Sequence, residues 1–483
     1  MLLIGPLGGW LLGAWLTTAL AVAVGVVVTA ILAVASIGLE VFATPGVGPR
    51  LAERLNIRFI PAQRHNLYRS PRVARHVERG AAGHRQRAIA HLETLAGDRS
   101  AGRTERRDAA SALAELRRQA TTPLPPEIIR VDVMMISDFG LSGGTTTSNL
   151  TEIATQSAAG LSTVLVHNRN PDFLDEGIDL RVRAALDDRT RLFDFGSRYE
   201  CDVLVIKYPP SARELPDLLE RVTVSGEILV IVNQTPLTGY HGDSKVVYRI
   251  DECVAEIERV FDKAPLWMPV GPSVRTVLER HHSDELSRIR WSADDWYELI
   301  DVDTWQRERR PVHDDGRIVI GRHGRDSVWK WPANRDDILA AYPDDPNVQV
   351  EILGGAVVPR RLLKRLPGNW NVRAFGSLSP QEFLAGLDAF VYFPHPDMTE
   401  AFGRTIVEAL AVGVPVVTDE RFTGLFGDAI NVATPHDSMA RVRELLSDPA
   451  VYEEAVQRGR RWVLAHCDVH QHLERLRGFG LSR

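Results

Sequence analysis

From Met1 to Leu39 the chain contains no aspartate, glutamate, lysine, arginine or histidine. A stretch with no charge over that length is not a water-facing helix, which needs a polar side. Cysteine is nearly absent too. Cys201, Cys253 and Cys467 lie far apart, which excludes a disulfide framework and a cysteine-based metal site and makes a reducing, cytosolic setting the default. Lysine is scarce and arginine abundant, so each lysine that remains draws attention. The net charge of -6 excludes a chain whose overall balance suits nucleic acid. The remainder is ordinary for a globular protein. The 483 residues are 44% apolar and 25% charged, enough for two or three domains with real cores.

About 20 apolar residues cross a bilayer, so residues 1–43 are expected to be a transmembrane anchor, as one helix or a tight hairpin. Ala33-Val34-Ala35 has the small-x-small pattern of a signal cleavage site. The segment nevertheless lacks a charged leader and far exceeds a signal core of about 7–15 residues. Residues 44–125 read as an arginine-rich helical spacer, beginning with Arg50, Arg54, Arg58, Arg64, Arg69, Arg72, Arg75 and Arg79. Cationic flanks stay on the cytoplasmic face, which places the remaining domains in the cytoplasm. The same arginines suit anionic lipid headgroups, or equally a solvated basic helix with no specific partner. Ala109 to Leu116 is the clearest helix there, and Thr121 to Pro126 (TTPLPP) is a stiff boundary.

Beyond it strands and helices alternate. Ile128–Ile136, Ser162–Val166, Val203–Lys207 and Ile228–Val232 read as strands, with helices from Leu150, over Arg213–Arg221 and over Cys253–Phe261. Such alternation predicts a parallel sheet with ligands at the strand ends. Gly143 and Gly144, between the first strand and helix, let backbone approach a ligand closely, although G-x-G-x-x-G is absent. Asn233 and Gln234 follow a strand and are candidates to line the cleft, as is His241. A second run starts at Arg317 to Gly321 (RIVIG), continues through Val348–Leu353 and Val372–Gly376, and includes a helix capped by Ser379 with Glu382. Together these predict an α/β fold of two Rossmann-like domains, residues 126–310 and 311–463, with residues 464–483 forming a C-terminal helix that packs back on the first half.

The most informative stretch is Pro394 to Asp419, PHPDMTEAFGRTIVEALAVGVPVVTD, which follows the apolar run Leu387–Phe393. Gly403 opens a helix whose apolar stripe is Ile406, Val407, Leu410 and Ala411, and Gly413 with Pro415 close it. Glu400 stands at the helix entrance, and Glu408 one turn inside shares a face with Thr405. Free N–H groups and a positive dipole end at Gly403 suit a phosphate. A carboxylate further in suits the hydroxyls of a diol such as ribose. A lone E-x7-E would describe any βαβ unit with a glutamate at each end. Here it is embedded in E-A-F-G and E-A-L-A-x-G-x-P-V-V.

Glu400, Phe402, Gly403, Glu408, Ala409, Gly413, Pro415 and Val416 together resemble the donor-site signature of the retaining, GT-B-fold glycosyltransferases of family four. The resemblance runs from about Val131 to the C-terminus and is densest between Gly321 and Asp419. It implies a hexosyltransferase that moves a sugar from a nucleotide-diphosphate donor with retention and without a metal or other cofactor. Arg322 and Lys330, in RHGRDSVWKWP, correspond to the cations that clamp the donor diphosphate in similar enzymes. The segment between them is longer than usual, which makes Arg325 the alternative to Arg322. The implied catalytic groups are Glu400, Lys330 and Arg322. Glu408, Gly403, Phe402, Thr405, Arg325, Gly143 and Gly144 are the implied donor contacts. Asp301-Val302-Asp303 fits the D-x-D of metal-dependent GT-A transferases, but short motifs recur by chance and the longer signature points elsewhere. The anchor points to a lipid-linked or envelope glycan as acceptor. The alternatives are a nucleotide-sugar epimerase of the same architecture and a non-catalytic membrane-tethered scaffold.

Overall fold

The computed structural model describes residues 70–81, 83–98, 100–120, 127–141, 143–170, 177–240, 244–311, 313 and 316–483. The expected anchor, with Arg50, Arg54, Arg58, Arg64 and Arg69 after it, lies outside the described residues. Among those described, no helix is long and apolar enough to cross a membrane. The chain divides into two compact units, residues 1–121 and 122–483.

In the first unit the described part is three helices, α1 (Pro71–Ala81), α2 (Arg85–Gly97) and α3 (Arg103–Ala120). Their core is small: Val73, Ala88, Leu92, Leu95, Ala109, Ala112 and Leu116. Such short apolar side chains let helices approach closely, as Gly80 does against Leu116. Ser70 ties α1 to α3, its N–H donating to Asp108 and its hydroxyl to Glu105.

The second unit holds two parallel sheets. The first contains β1 (Ile128–Ser137), β2 (Thr163–His167), β3 (Thr190–Leu192), β4 (Arg198–Lys207), β5 (Val222–Val224), β6 (Ile228–Val232), β7 (Leu266–Pro269) and β8 (Arg290–Trp291). Their order is β3-β2-β1-β4-β6-β7-β8, with β5 beside β4. The second contains β9 (Ile318–His323), β10 (Val348–Leu353), β11 (Trp370–Arg373), β12 (Ala389–Tyr392), β13 (Val416–Thr418) and β14 (Asn431–Val432), in the order β11-β10-β9-β12-β13-β14. All pairings within them are parallel. Central strands covered on both faces read as unbroken apolar runs, and β6 (ILVIV) is buried at every position.

Several local expectations differ from the structure. The helix expected from Leu150 is α4 (Gly144–Ala158), which begins directly at the glycine pair. Instead of one helix over Arg213–Arg221 there are two 3-10 turns, Pro209–Ala212 and Asp217–Arg221. Pro209, Pro210 and Pro216 lack the N–H groups a continuous helix needs. The helix placed at Cys253–Phe261 is α5 (Ile250–Phe261). The strand expected over Val372–Gly376 ends at Arg373, where Phe375 to Ser377 turn at Gly376 (φ 75°).

The second sheet is flanked by α6 (Val357–Leu363), α7 (Pro380–Ala385), α8 (Arg404–Val412) and α9 (Pro449–His466). Between the lobes Arg307 donates to the carbonyls of Ala385, Leu387 and Gly413 and to the Tyr452 hydroxyl, which pins the crossing segment to the second lobe. After a break at Cys467, α10 (Gln471–Gly478) lies on the first lobe. There Gln156 meets His472 at 2.9 Å, and the Phe479 carbonyl accepts the Glu227 N–H.

Candidate active site

Arg322 lies at the carboxyl end of β9 and is 1% exposed. Its guanidinium stacks 3.7 Å from the centroid of Trp331 and 5.9 Å from that of Tyr392. Trp331 is a fixed platform, since its indole N–H donates to Asp326 at 3.0 Å and its ring stacks on Trp370. Nε and Nη1 of Arg322 are buried and meet no hydrogen-bond acceptor among the described residues. A desolvated cation with two open donors is costly unless an anion completes it.

Lys330 ends a short turn, Val328–Lys330, held by the bond from the His395 N–H to the Trp329 carbonyl. Its ammonium lies 2.5 Å from Glu400 Oε2, which also accepts the Tyr392 hydroxyl at 2.8 Å. Burial, and next the Glu400 charge, hold the Tyr392 hydroxyl well above its ordinary pKa, so it stays a donor. Glu400, Lys330, Tyr392 and Arg322 thus form one charged cluster at the ends of β9 and β12.

Helix α8 is bracketed by glycines in the left-handed region, Gly403 (φ 77°) and Gly413 (φ 86°). Its polar face does not meet bulk solvent, as an amphipathic reading would have it. Every residue from Ile406 to Val412 is buried, Glu408 included. Glu408 Oε1 accepts Arg404 Nε at 3.0 Å, and Oε2 is 3.3 Å from His323 Nε2. Burial pushes the Glu408 carboxyl up to about 7, with Arg404 pulling the other way. His323 is pushed down to about 3 by burial and then by Arg322 and Lys330, so its ring is neutral.

The two lobes meet around this cluster. Gly143, with φ 114°, precedes α4, and a side chain added there would touch the Arg325 guanidinium at about 3.8 Å. Arg325 is therefore an exposed cation beside the glycine pair of the other lobe, while Arg322 is the buried one behind it. Thr405 is half-buried on the first turn of α8. Phe402 is buried, its ring 5.8 Å from that of Tyr297 and in contact range of Gly271, so it fills the seam between the lobes. Asn233 keeps a buried side-chain oxygen with no hydrogen-bond partner among the described residues. Gln234 is engaged locally, through Thr235 and Tyr248. His241 lies outside the described residues. Among those described, no group of three or more histidine, cysteine, aspartate or glutamate side chains could hold a metal. Two open grooves of the second lobe, about 570 and 760 Å³, contain none of the candidate residues, so concavity alone does not locate this site.

Sequence reasoning missed Arg404, His323, Tyr392 and Glu298. The first two sit inside or beside the motifs already singled out, and their immediate neighbours drew the attention. Glu298 has no local signal, because its meaning depends on Arg404, which is 106 positions away.

Residues 329–462 match the family model described as "Glycosyl transferases group 1". Over that segment the chain is similar to group 1 glycosyltransferases, and its paired parallel sheets have a GT-B-like arrangement. No curated protein matches the sequence. Among solved structures, a glycosyltransferase from Rickettsia africae aligns over 73% of this chain and 100% of its own, with TM-score 0.51 and 11% identity. HepE from Anabaena, solved with UDP and glucose, aligns over 72% and 100%, with TM-score 0.48 and 14% identity. WaaG, a glycosyltransferase of lipopolysaccharide biosynthesis, aligns over 73% and 100%, with TM-score 0.42 and 13% identity. At these identities the likeness concerns fold and leaves substrates open.

Proposed function

We propose that this protein is a retaining glycosyltransferase that moves a sugar from a nucleotide-diphosphate donor to a lipid-linked or envelope glycan. The observation that carries the reading is Arg322: a buried guanidinium, stacked on Trp331, whose Nε and Nη1 meet no acceptor among the described residues. Diphosphate oxygens would satisfy both, since planar donors match phosphate geometry. Glycosyl transfer passes through an oxocarbenium-like state while negative charge builds on the departing diphosphate. Arg322, Lys330 and the free N–H groups at the start of α8 would stabilise that charge, so that the reaction needs no metal. Arg325 would approach the same group from the mouth of the cleft, beside Gly143 and Gly144.

Glu408 would accept the ribose hydroxyls. Glu400, held by Lys330 and Tyr392, would orient the sugar, and Lys330 would exchange part of that contact for the leaving phosphate. The charge-free segment at 1–39 and the arginines after it support a membrane anchor with the catalytic lobes in the cytoplasm.

The test is calorimetry with UDP, GDP and ADP, followed by incubation of membranes with labelled nucleotide-sugars and lipid extraction. Binding of one nucleotide and label in an extracted glycan are expected. No heat with any of the three would overturn the reading. Conversion of a nucleotide-sugar without an acceptor would replace transfer with epimerisation.

A further inference from the structure

Arg404 stands on the first turn of α8 and is largely covered between the lobes, its side chain 12% exposed. Nε donates to Glu408 Oε1 at 3.0 Å, on its own helix. From the same fork Nη1 donates to Glu298 Oε2 and to the Leu299 carbonyl, each at 3.2 Å, on the segment that leaves the first sheet. One rigid guanidinium thus bridges a carboxylate of the donor lobe and a carboxylate of the other.

Charged groups face this bridge from every side. Lys207 on β4 pairs with Glu152 on α4 at 2.5 Å, and Trp296 donates to the same Glu152 oxygen at 2.9 Å. Lys207 and Glu152 both act on Glu298, and His323 on β9 borders Glu408. Glu152, Glu298 and Glu408 set three carboxylates against the cations Lys207, Arg404 and Arg475, the last acting on Glu152. In so dry a setting the cation that two of them share cannot be removed cheaply, and the carboxylates hold their place only while it bridges them.

We propose that Arg404 is a positioning residue that ties Glu408 to Glu298, so that the donor-side carboxylate is aimed only when the two lobes are docked. This rests on the glycosyltransferase reading for its consequence, since Glu408 is the ribose acceptor there. The bridge itself does not. A nucleotide that engages Glu408 then finds a carboxylate already fixed against the first lobe, and closure of the site over the donor is coupled to that contact. Lysine at 404 keeps the charge but has no fork to reach both carboxylates. Glutamine at 298 keeps shape and hydrogen bonding but removes the charge that holds the lobes.

The experiment uses the full-length protein and the variants Glu298→Gln and Arg404→Lys. Hydrogen exchange is followed over peptides spanning residues 296–302 and 402–408 without nucleotide, and donor KM and kcat are measured separately. Both variants should exchange about tenfold faster than wild type in both peptides. Glu298→Gln should lower kcat about tenfold and raise donor KM about threefold, because its Arg404–Glu408 bond is intact but no longer anchored to the first lobe. Arg404→Lys should also raise donor KM about tenfold. Wild-type exchange in both variants overturns the bridge, whatever the activity. So does a Glu298→Gln variant with unchanged kcat. Faster exchange in a protein that binds no nucleotide would keep the bridge and remove the glycosyltransferase reading.

Discussion

Replacing Arg322 with methionine should move stability and ligand binding in opposite directions. Methionine keeps most of the apolar stem and the contact with Trp331 while deleting the charge. In the ligand-free protein the guanidinium is 1% exposed, and two of its N–H groups meet no acceptor among the described residues. An unpaired buried cation costs several kcal/mol, and stacking on Trp331 returns about 2 kcal/mol. The variant should therefore gain about 1 to 2 kcal/mol, which raises Tm by about 2 to 8 °C at about 2–4 °C per kcal/mol. Binding should suffer. Two charge-assisted hydrogen bonds at about 1.5–3 kcal/mol each amount to about 3–6 kcal/mol, or a nucleotide diphosphate Kd weaker by about 10²- to 10⁴-fold. Differential scanning fluorimetry without ligand and calorimetry with the nucleotide that wild type binds would measure the two effects. A lower Tm together with a Kd within threefold of wild type would refute the reasoning, because Arg322 would then be an ordinary structural cation.

Other perturbations test the rest of the site. Donor affinity should weaken as pH falls through about 7, where Glu408 takes up its proton; below that pH the ionised fraction drops about tenfold per unit, and Glu408→Gln should flatten the Kd profile between pH 6 and 8. His323, already neutral with its pKa near 3, should contribute nothing to that profile. Glu408→Ala should raise donor KM strongly, whereas Lys330→Ala should act mainly on kcat, by about 10²-fold. Steady-state kinetics separate the two, and equal effects on both parameters would contradict the roles assigned. Lys207→Met should destabilise the protein by about 3–5 kcal/mol by stranding Glu152. In wild type Glu152 is held below its ordinary 4.5, burial opposing and Lys207 prevailing, so the pair stabilises the fold above that value and is lost in acid as pH falls through the lowered one. In the variant burial is no longer outweighed by Lys207, with the Trp296 bond and His472 still in place, so the deficit should be small at pH 4 and full at pH 8 in urea melts. Lys207→Met with Glu152→Gln should recover most of it.

How much could be read without coordinates depended on the range of each interaction. The alternation of apolar runs with helical stretches announces parallel sheets because a strand covered on both faces must be apolar throughout, as β6 is. Short edge strands such as β3, β5 and β8 have two or three residues and no such run, and were not legible. The segment after β4 deceived for a local reason: its apolar and acidic residues have helical spacing, yet three prolines break it into 3-10 turns. The glycines around α8 and the spacing of Glu400 and Glu408 are likewise local, since a helix N-terminus is built from consecutive residues.

By itself the amino-acid order determined the two-lobed α/β plan, the glycine-bounded helix, and which charges stand near it along the chain. Only the tertiary structure decided what those charges do. Arg322 became a buried cation with two N–H groups that meet no acceptor among the described residues, because Trp331 and Tyr392 close over it. Glu408 became a carboxylate titrating near neutrality because the packing removed its water. Arg404 acquired a partner in the other lobe. Desolvation and pairing depend on everything that surrounds a group, and for these three the surroundings come from segments far apart in the chain.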